Sequence, residues 1–554
     1  MELTGANSMA TSSDTTNTEP RPVDSEPQPT VTPSALGPLR LRAFRVLWIA
    51  ELVSNTGTWM QTVGAQWLLV AKVDAAILVS LVQVVDTLPD VAFGWLGGVL
   101  ADTSDRRRLL IMFNLFLTAV GIALTLLTAL GMMPAALLLT FTFLLGTASV
   151  VAIPAYQSLV NDIVPRSELP SAAALGSMNI NLARAVGPAI AGLLIARIGV
   201  VGVFALNTLT FIFYAAVMFT WKPQLPVRQG RPEAFVSALV AGGRYIRHSP
   251  EVRRIFVRTA LFAIPYSALI ALLPVAATRR MGLTAEGYGL LLTALGIGAI
   301  TGGFFLPRIN ARLSINQLVF IASLVLATAM VVVVLVSSIW PAVVMLVPAG
   351  GASIMVISNI TASLQLFLPA WVRGRAFSVF QMVLFGSFGA GSLAFGLLAN
   401  HAGVLVALLA AAAVMAVGGA SVARWPFPDV SAIDRTRWSW PEPRLVPELE
   451  PSDEAVMITV SYTVPATRER EFIAGMEEMR RERLSTGAMQ WGLFRDAEAP
   501  QQFTEFFVVG SWEEHLRQHR ERLTVVEREL ETRVQACSVT DPIAKHYLEA
   551  RAQE

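Results

Sequence analysis

Apolar runs of about 20 residues recur along the chain from residue 45 to residue 423, and a helix of about that length is what spans a hydrocarbon core of roughly 30 Å. The runs fall near 46–71, 75–101, 109–130, 134–157, 171–196, 200–221, 255–278, 286–306, 315–337, 340–366, 375–399 and 403–423. Twelve membrane-spanning helices are therefore expected. A chain that is 54% hydrophobic and 15% charged, with a mean hydropathy of +0.56, exceeds what a soluble globular protein carries.

Cations flanking short loops stay on the cytoplasmic side. One set of alternate loops holds Arg106, Arg107 and Arg108, then Arg166, then the stretch 222–254, then Arg308 and Arg312, then Arg373 and Arg375. The opposite set carries little besides Lys72, Arg197, Arg279 and Arg280. Both termini are thus expected in the cytoplasm, with the protein multi-pass in the inner (plasma) membrane. The net charge of +2 averages a basic membrane face with a mixed-charge tail and identifies no partner; a nucleic acid is not expected. Residues 1–38, rich in Ser, Thr, Pro and acids, read as a disordered cytoplasmic tail without a secretory signal. A single cysteine, Cys537, excludes an intramolecular disulfide framework.

Shifting the chain by 204 positions lays Pro165 on Pro369, Ala172 on Ala376, Gly187 on Gly391, the run 192–194 on 396–398, and Gly199 on Gly403. That repetition predicts two same-direction six-helix bundles, 39–221 and 255–424, joined by a cytoplasmic loop at 222–254. The loop alternates apolar and cationic residues at helical spacing. Two readings stand: a segment lying along the inner membrane surface, or a plain basic connector.

Between the second and third runs stands GGVLADTSDRRRLL, residues 97–110. It resembles the helix 2–3 signature of the major facilitator superfamily, carried here by Gly98, Leu100, Asp102, Arg106, Arg107 and Leu109, with departures at Thr103 and Asp105 where arginine and glycine are usual. Gly98 would let two helices pack closely, and Asp102 would offer its carboxylate to the start of the helix near Arg375. Arg106 is then available to Asp162, and together these residues would form a charge cluster that gates the cytoplasmic side. A second stretch, NLARAVGPAIAGLL, is similar to the Gly-Pro motif of superfamily exporters at Gly187, Pro188 and Gly192. Proline bends the helix and the glycines permit a seam against a helix of the other half, which favours efflux over uptake.

Ionisable residues inside a bilayer are costly and stand as functional candidates. Glu51 and Asn55 lie four apart on the first helix, Asp86 and Asp90 four apart on the second, and Arg184 near the middle of the fifth. Counting inward places Asp90 and Arg184 at similar depth. Arg184 is expected to pair with Asp90 or Asp86 in at least one conformation, either as a static pair or as the place where a proton couples to substrate exit. Glu51, nearer the cytoplasmic mouth, meets a substrate amine or stands solvated.

Prolines mark a linker at 425–454, and residues 455–550 read β-α-β-β-α with a further strand near 544–548: a small cytoplasmic α+β, ferredoxin-like domain. The stretch 511–531 resembles the extra domain of an exporter subfamily similar to the enterobactin exporter, a domain of the antibiotic-biosynthesis monooxygenase type. That resemblance implies a homodimer formed through the sheet and no metal or prosthetic group. His515 and His519 share a helical face, but surface histidines on one long charged helix explain them, and no metal site is expected. Trp491, Trp512, Phe503, Phe506 and Phe507 read as core or dimer interface. Neither a nucleophile, base and oxyanion constellation nor a Walker-type loop occurs, so no catalytic residues and no cofactors are expected.

The expectation is an all-α membrane protein, a twelve-helix major facilitator fold with a ferredoxin-like tail, acting as a proton-coupled exporter of a siderophore, drug or other amphipathic small molecule. The competing readings are an exporter whose tail is a monooxygenase-like enzyme, and an uptake carrier.

Overall fold

The structure is a computed structural model in which residues 36–220, 243–369, 371–428, 455–522 and 524–548 are described, without the side chains of 94–103, 166, 520 and 521. The expected disordered tail, most of the inter-bundle loop and most of the proline-rich linker lie outside the described residues.

The first half contains α1 (Arg42–Val70), α2 (Ala75–Thr103), α3 (Arg106–Ala129), α4 (Ala135–Ile163) and α5 (Leu169–Thr220). The second contains α6 (Pro250–Arg279), α7 (Ala285–Asn310), α8 (Ile315–Leu335), α9 (Ile339–Phe367) and α10 (Arg373–Ala420). Among the described residues nine helices are long and apolar enough to cross a membrane. Large apolar side chains such as Phe116, Leu126, Phe213, Leu324 and Val344 stand exposed on them, as side chains facing lipid do.

Local signals set the helix ends. Asp105 caps α3 by accepting from the Arg108 backbone N–H at 3.0 Å, and Ser314 and Gln317 form a capping box at the start of α8. Pro250 occupies the first turn of α6, where its missing N–H costs nothing.

Two helices are too long for one crossing: α5 has 52 residues and α10 has 48. Each is broken at one glycine, Gly199 with φ 72° and Gly403 with φ 89°, a backbone conformation that side chains disfavour. The breaks stand 204 positions apart, as do the starts of the two helices at Leu169 and Arg373, so the sequence repeat is also a repeat of backbone geometry.

The halves meet where α5 packs on α7 and α10 on α2. A Cβ on Gly192 would lie 2.5 Å from the Gly289 Cα, and one on Gly396, its counterpart 204 positions on, would run into Ser80. Small residues here let backbones touch across the seam.

The basic loops share one end of the bundle with the tail domain. The tail runs β1 (Val456–Thr463), α11 (Glu469–Thr486), β2 (Gln490–Arg495), β3 (Gln502–Val509), α12 (Trp512–Arg517), α13 (Val525–Gln535) and β4 (Ile543–Leu548). Its four strands form one antiparallel sheet in the order β2-β3-β1-β4. Alternation along β1 and β3 sends Tyr462, Phe503 and Phe507 inward onto Phe472, Met476 and Trp512.

The single long second helix expected for this domain is instead two. A π-type turn at Gln518–Arg522 follows α12, and Thr524 starts α13 with a capping box to Glu527. The T-x-x-E spacing is a helix start placed inside a helical pattern.

Candidate functional site

Glu51, Ser54, Asn55 and Thr58 recur at intervals of three and four, which puts them on one face of α1. That face lines a cavity of about 110 Å³ inside the first half, closed on other sides by Asn114 of α3, Ser149 and Tyr156 of α4, and Tyr214 of α5. The space is large enough for ordered water beside the carboxylate. Asn55 donates to Asn179 Oδ1 at 3.1 Å, Asn179 donates to the Trp48 carbonyl at 2.8 Å, and Trp48 Nε1 donates to the Leu175 carbonyl at 2.9 Å. These bonds pin α1 to the first limb of α5 next to Glu51. A carboxyl group, amides and phenols thus share the wall of this space with Leu110, Leu117, Ile153 and Phe211, an arrangement suited to taking up a proton or an amphipathic substrate.

Arg184 makes no ion pair with Asp86 or Asp90 in this conformation. Its guanidinium instead lies over the Trp59 ring, 5.2 Å from the centroid, and its buried Nε lacks a hydrogen-bond partner. Gly187, one helical turn on, allows that approach: a Cβ there would sit 2.7 Å from Trp59 Cβ and 2.9 Å from the Thr56 carbonyl. Of the Gly-Pro stretch, therefore, Gly192 faces the other half while Gly187 faces α1 of its own half. Pro188 stands between them inside α5. Asp86 lies where α2 and α4 approach: a Cβ on Gly146 would be 3.4 Å from the Asp86 carbonyl and 3.3 Å from Pro89.

At the basic end Arg106 Nη1 donates to Asp162 Oδ2, with both side chains mostly covered. Arg107 donates to the carbonyls of Met218 at 2.8 Å and Phe219 at 3.0 Å, capping the end of α5. The basic run therefore ties α3 to α4 and α5. The departure from glycine at Asp105 has its reason in the helix cap described above. Gly98 and Asp102 stand in the last turns of α2, and the contacts expected of them lie outside what is described.

Further polar contacts join uncharged side chains. Tyr288 donates to Gln66 Oε1 at 2.8 Å and stacks on Trp67, joining α7 to α1 across the halves. Asn207 donates to Gln61 Oε1 at 2.5 Å. Uncharged polar residues inside apolar runs were the available signal.

In the tail, a buried ion network sits within the apolar core between sheet and helices. Arg483 donates to Glu505 at 3.3 Å and to Glu531 at 3.1 Å, and Glu505 also accepts from Trp491 at 2.9 Å and Tyr462 at 3.2 Å. Burial alone would lower the Arg483 pKa, and the two carboxylates more than reverse that, so it is raised. Burial raises Glu531 against the opposing pull of Arg483. His515 is not on the surface: it is 2% exposed, with Nε2 3.0 Å from His546 Nε2 and Nδ1 3.4 Å from Gln518. Burial, then His519 and His546, push its pKa down to about 3. Among the described residues no group of three or more His, Cys, Asp or Glu is arranged to hold a metal ion.

Two helical halves, repeated in sequence and backbone and meeting at a seam of small residues, define a membrane transporter. Over residues 33–553 the chain matches the profile of the transmembrane secretion effectors, and it belongs to that family of major facilitator transporters. It is 24% identical over 282 residues to the staphyloferrin A transporter of Staphylococcus aureus, covering 50% of this chain and 70% of that protein. It is 25% identical over 394 residues to the multidrug efflux pump Tap of Mycolicibacterium fortuitum, 69% and 93% of the two chains, and 22% identical over 265 residues to macrolide efflux protein A of Streptococcus pyogenes, 48% and 65%. Its fold is similar to a bacterial homologue of the lysosomal transporter Spinster in an inward-facing, unoccupied state, with a TM-score of 0.56, 14% identity and coverage of 69% of this chain and 96% of that one. A D-xylose–proton symporter gives 0.55, 14%, 70% and 98%.

Proposed function

We propose that this transporter is a proton-coupled exporter of an amphipathic small molecule, of the siderophore or macrolide kind, working by alternating access of two six-helix halves. Nine apolar helices, with α1 and the second limbs of α5 and α10, would supply the twelve crossings this requires. Basic loops at one end favour both termini on the cytoplasmic face of the inner membrane. The observation that carries the reading is Glu51 on the wall of a cavity at membrane depth, a carboxyl group placed to exchange a proton as the cavity changes access. Arg106 with Asp162, and Asp102 toward the start of α10, would hold the cytoplasmic gate. Asp86, Asp90 and Arg184 would line the route between the halves.

The tail's strand order supports a ferredoxin-like fold. Arg483, Glu505 and Glu531, the buried charges of its core, satisfy one another, which favours a docking or dimerising module over the monooxygenase alternative.

Cells with and without the protein, loaded with a labelled macrolide or an iron-free siderophore, test the reading. Lower retention that a protonophore abolishes, and that Glu51→Gln abolishes at normal membrane abundance, is expected. Protonophore-insensitive retention refutes the coupling, and higher retention in cells carrying the protein points to uptake.

A further inference from the structure

His515 stands at one end of a line of side chains that runs from the interior of the tail to the membrane domain. Its Nδ1 lies 3.4 Å from Gln518 Oε1, so that nitrogen donates its proton to the amide and Nε2 is left to accept. His546 of β4 meets it there, Nε2 to Nε2 at 3.0 Å. A second proton on His515 would set one N–H against another, and the pair would have to part. Neighbouring charges oppose that proton too. His519 of the turn stands edge-on with ring centres 4.6 Å apart, His546 lies at 5.0 Å, and Arg483 of α11 acts across the core. The nearby carboxylates are engaged elsewhere, Glu505 and Glu531 by Arg483 and Glu514 by Arg522.

The line continues outward. Gln518 Nε2 donates to Thr486 Oγ1 at 3.4 Å, and Gln518 opens the π-type turn whose last residue is Arg522. Arg522 is buried: its Nη1 donates to the Thr486 carbonyl at 2.7 Å and to Glu514 at 2.6 Å, and its guanidinium lies over the Trp371 ring at 4.8 Å. Trp371, in the corner between α9 and α10, packs edge-on against Tyr245 at 5.7 Å, and Arg244 beside it donates to the Gly487 carbonyl at 2.7 Å. A Cβ on Gly487, whose φ is 143°, would lie 2.7 Å from Arg522 Nη1, so this close approach needs glycine. One short turn therefore holds the histidine pair at its start and the membrane contact at its end.

We propose that the tail is an acid sensor: protonation of the His515–His546 pair loosens the Gln518–Arg522 turn, draws Arg522 off Trp371 and undocks the tail from the corner between α9 and α10. Burial, then His519 and His546, hold His515 at about 3 in the docked fold against an ordinary 6.5. A released turn admits water to the ring and returns it toward the ordinary value, so the docked form binds fewer protons and acid favours release below about pH 6.5. Release would free Arg244 and Tyr245 of the inter-bundle segment from their contacts with the tail and with Trp371. The device depends on the tail's own contacts and on neither the cargo nor the coupling ion.

Spin labels on the full chain in nanodiscs test it. One goes at Gly374→Cys, where a Cβ meets nothing within 4 Å, and one at the exposed Arg481→Cys, with the buried Cys537 changed to Ser. At about pH 7.5 a single narrow distance is expected. At about pH 5.5 a longer, broader population should grow, its ratio to the docked one rising about tenfold, the linkage expected of one imidazole that titrates only after release. His515→Gln should keep the docked distance at both pH values. Trp371→Ala, on the membrane side of the contact, should show the longer population already at the higher pH. Identical distances at the two pH values, or an acid shift that survives His515→Gln, overturn the proposal. So does loss of amide protection in β1 and β3 at the lower pH, which would mean that the tail unfolds instead of undocking.

Discussion

Gly192 of α5 meets Gly289 of α7 backbone to backbone, at a distance where neither can carry a side chain. The contact joins the halves, so any rocking of one against the other must open or close it. Gly192→Leu would force at least one of these helices away, and overpacking of this kind costs about 1–3 kcal/mol. Energised efflux of a transported compound from everted vesicles is expected to fall about tenfold or more. Gly176→Ala, on the same helix with nothing within 4 Å of the new Cβ, should leave it unchanged. Normal efflux by Gly192→Leu would show that this seam does not move.

Arg106 and Asp162 are both largely covered, at 12% and 18% side-chain exposure. Removing either takes a close charge partner from a largely desolvated group. Asp162→Ala or Arg106→Ala should therefore cost about 1–3 kcal/mol of stability, seen as a lower melting temperature of the purified protein. The exchange Arg106→Asp with Asp162→Arg should recover most of it. If the double exchange is no better than the single changes, the pair contributes through some feature other than charge.

Hydropathy and the 204-residue repeat made much of the membrane fold readable, because apolar length and a glycine at positive φ are both local properties. The ends of α3 and α4 that carry Arg106 and Asp162 follow from the same pattern. The partner of Arg184 did not. Several groups share its depth, and helical spacing reports depth without saying which neighbour a side chain turns to, so Trp59 and the α1 approach at Gly187 emerge only from packing. Asn55 with Asn179, and Gln66 with Tyr288, are uncharged and carry no long-range signal. The burial of His515 was hidden for a related reason: the i, i+4 spacing to His519 reads as a polar face, whereas β4 brings His546 over it and Trp512 closes the other side.

Trp59 supplies the aromatic face that Arg184 meets in place of a carboxylate. A buried contact of this type is worth roughly 0.5–2 kcal/mol. Trp59→Ala should slow efflux several-fold, and Trp59→Phe, which keeps a weaker ring, should fall between it and the unaltered protein. Equal rates for both substitutions would mean that the ring serves packing alone.

The tail domain should lose stability in mild acid. His515 has a folded-state pKa near 3 against an ordinary 6.5, so between those values the folded domain binds fewer protons than the unfolded chain. Stability is then complete above about pH 6.5 and declines below it, by up to about 1.4 kcal/mol per pH unit from this one group. His546, also held down by burial, adds to the slope, while Glu531, raised by burial, opposes it where carboxyl groups begin to protonate. Denaturant unfolding of the tail in the full chain, followed by hydrogen exchange at β1 and β3, should therefore show a falling midpoint from about pH 7 to pH 5. His515→Gln keeps a polar group of similar size without a titrating ring, and it should flatten most of that decline. A decline of the same steepness in His515→Gln would move the acid sensitivity to another group, with the ion network around Arg483 next to be tested.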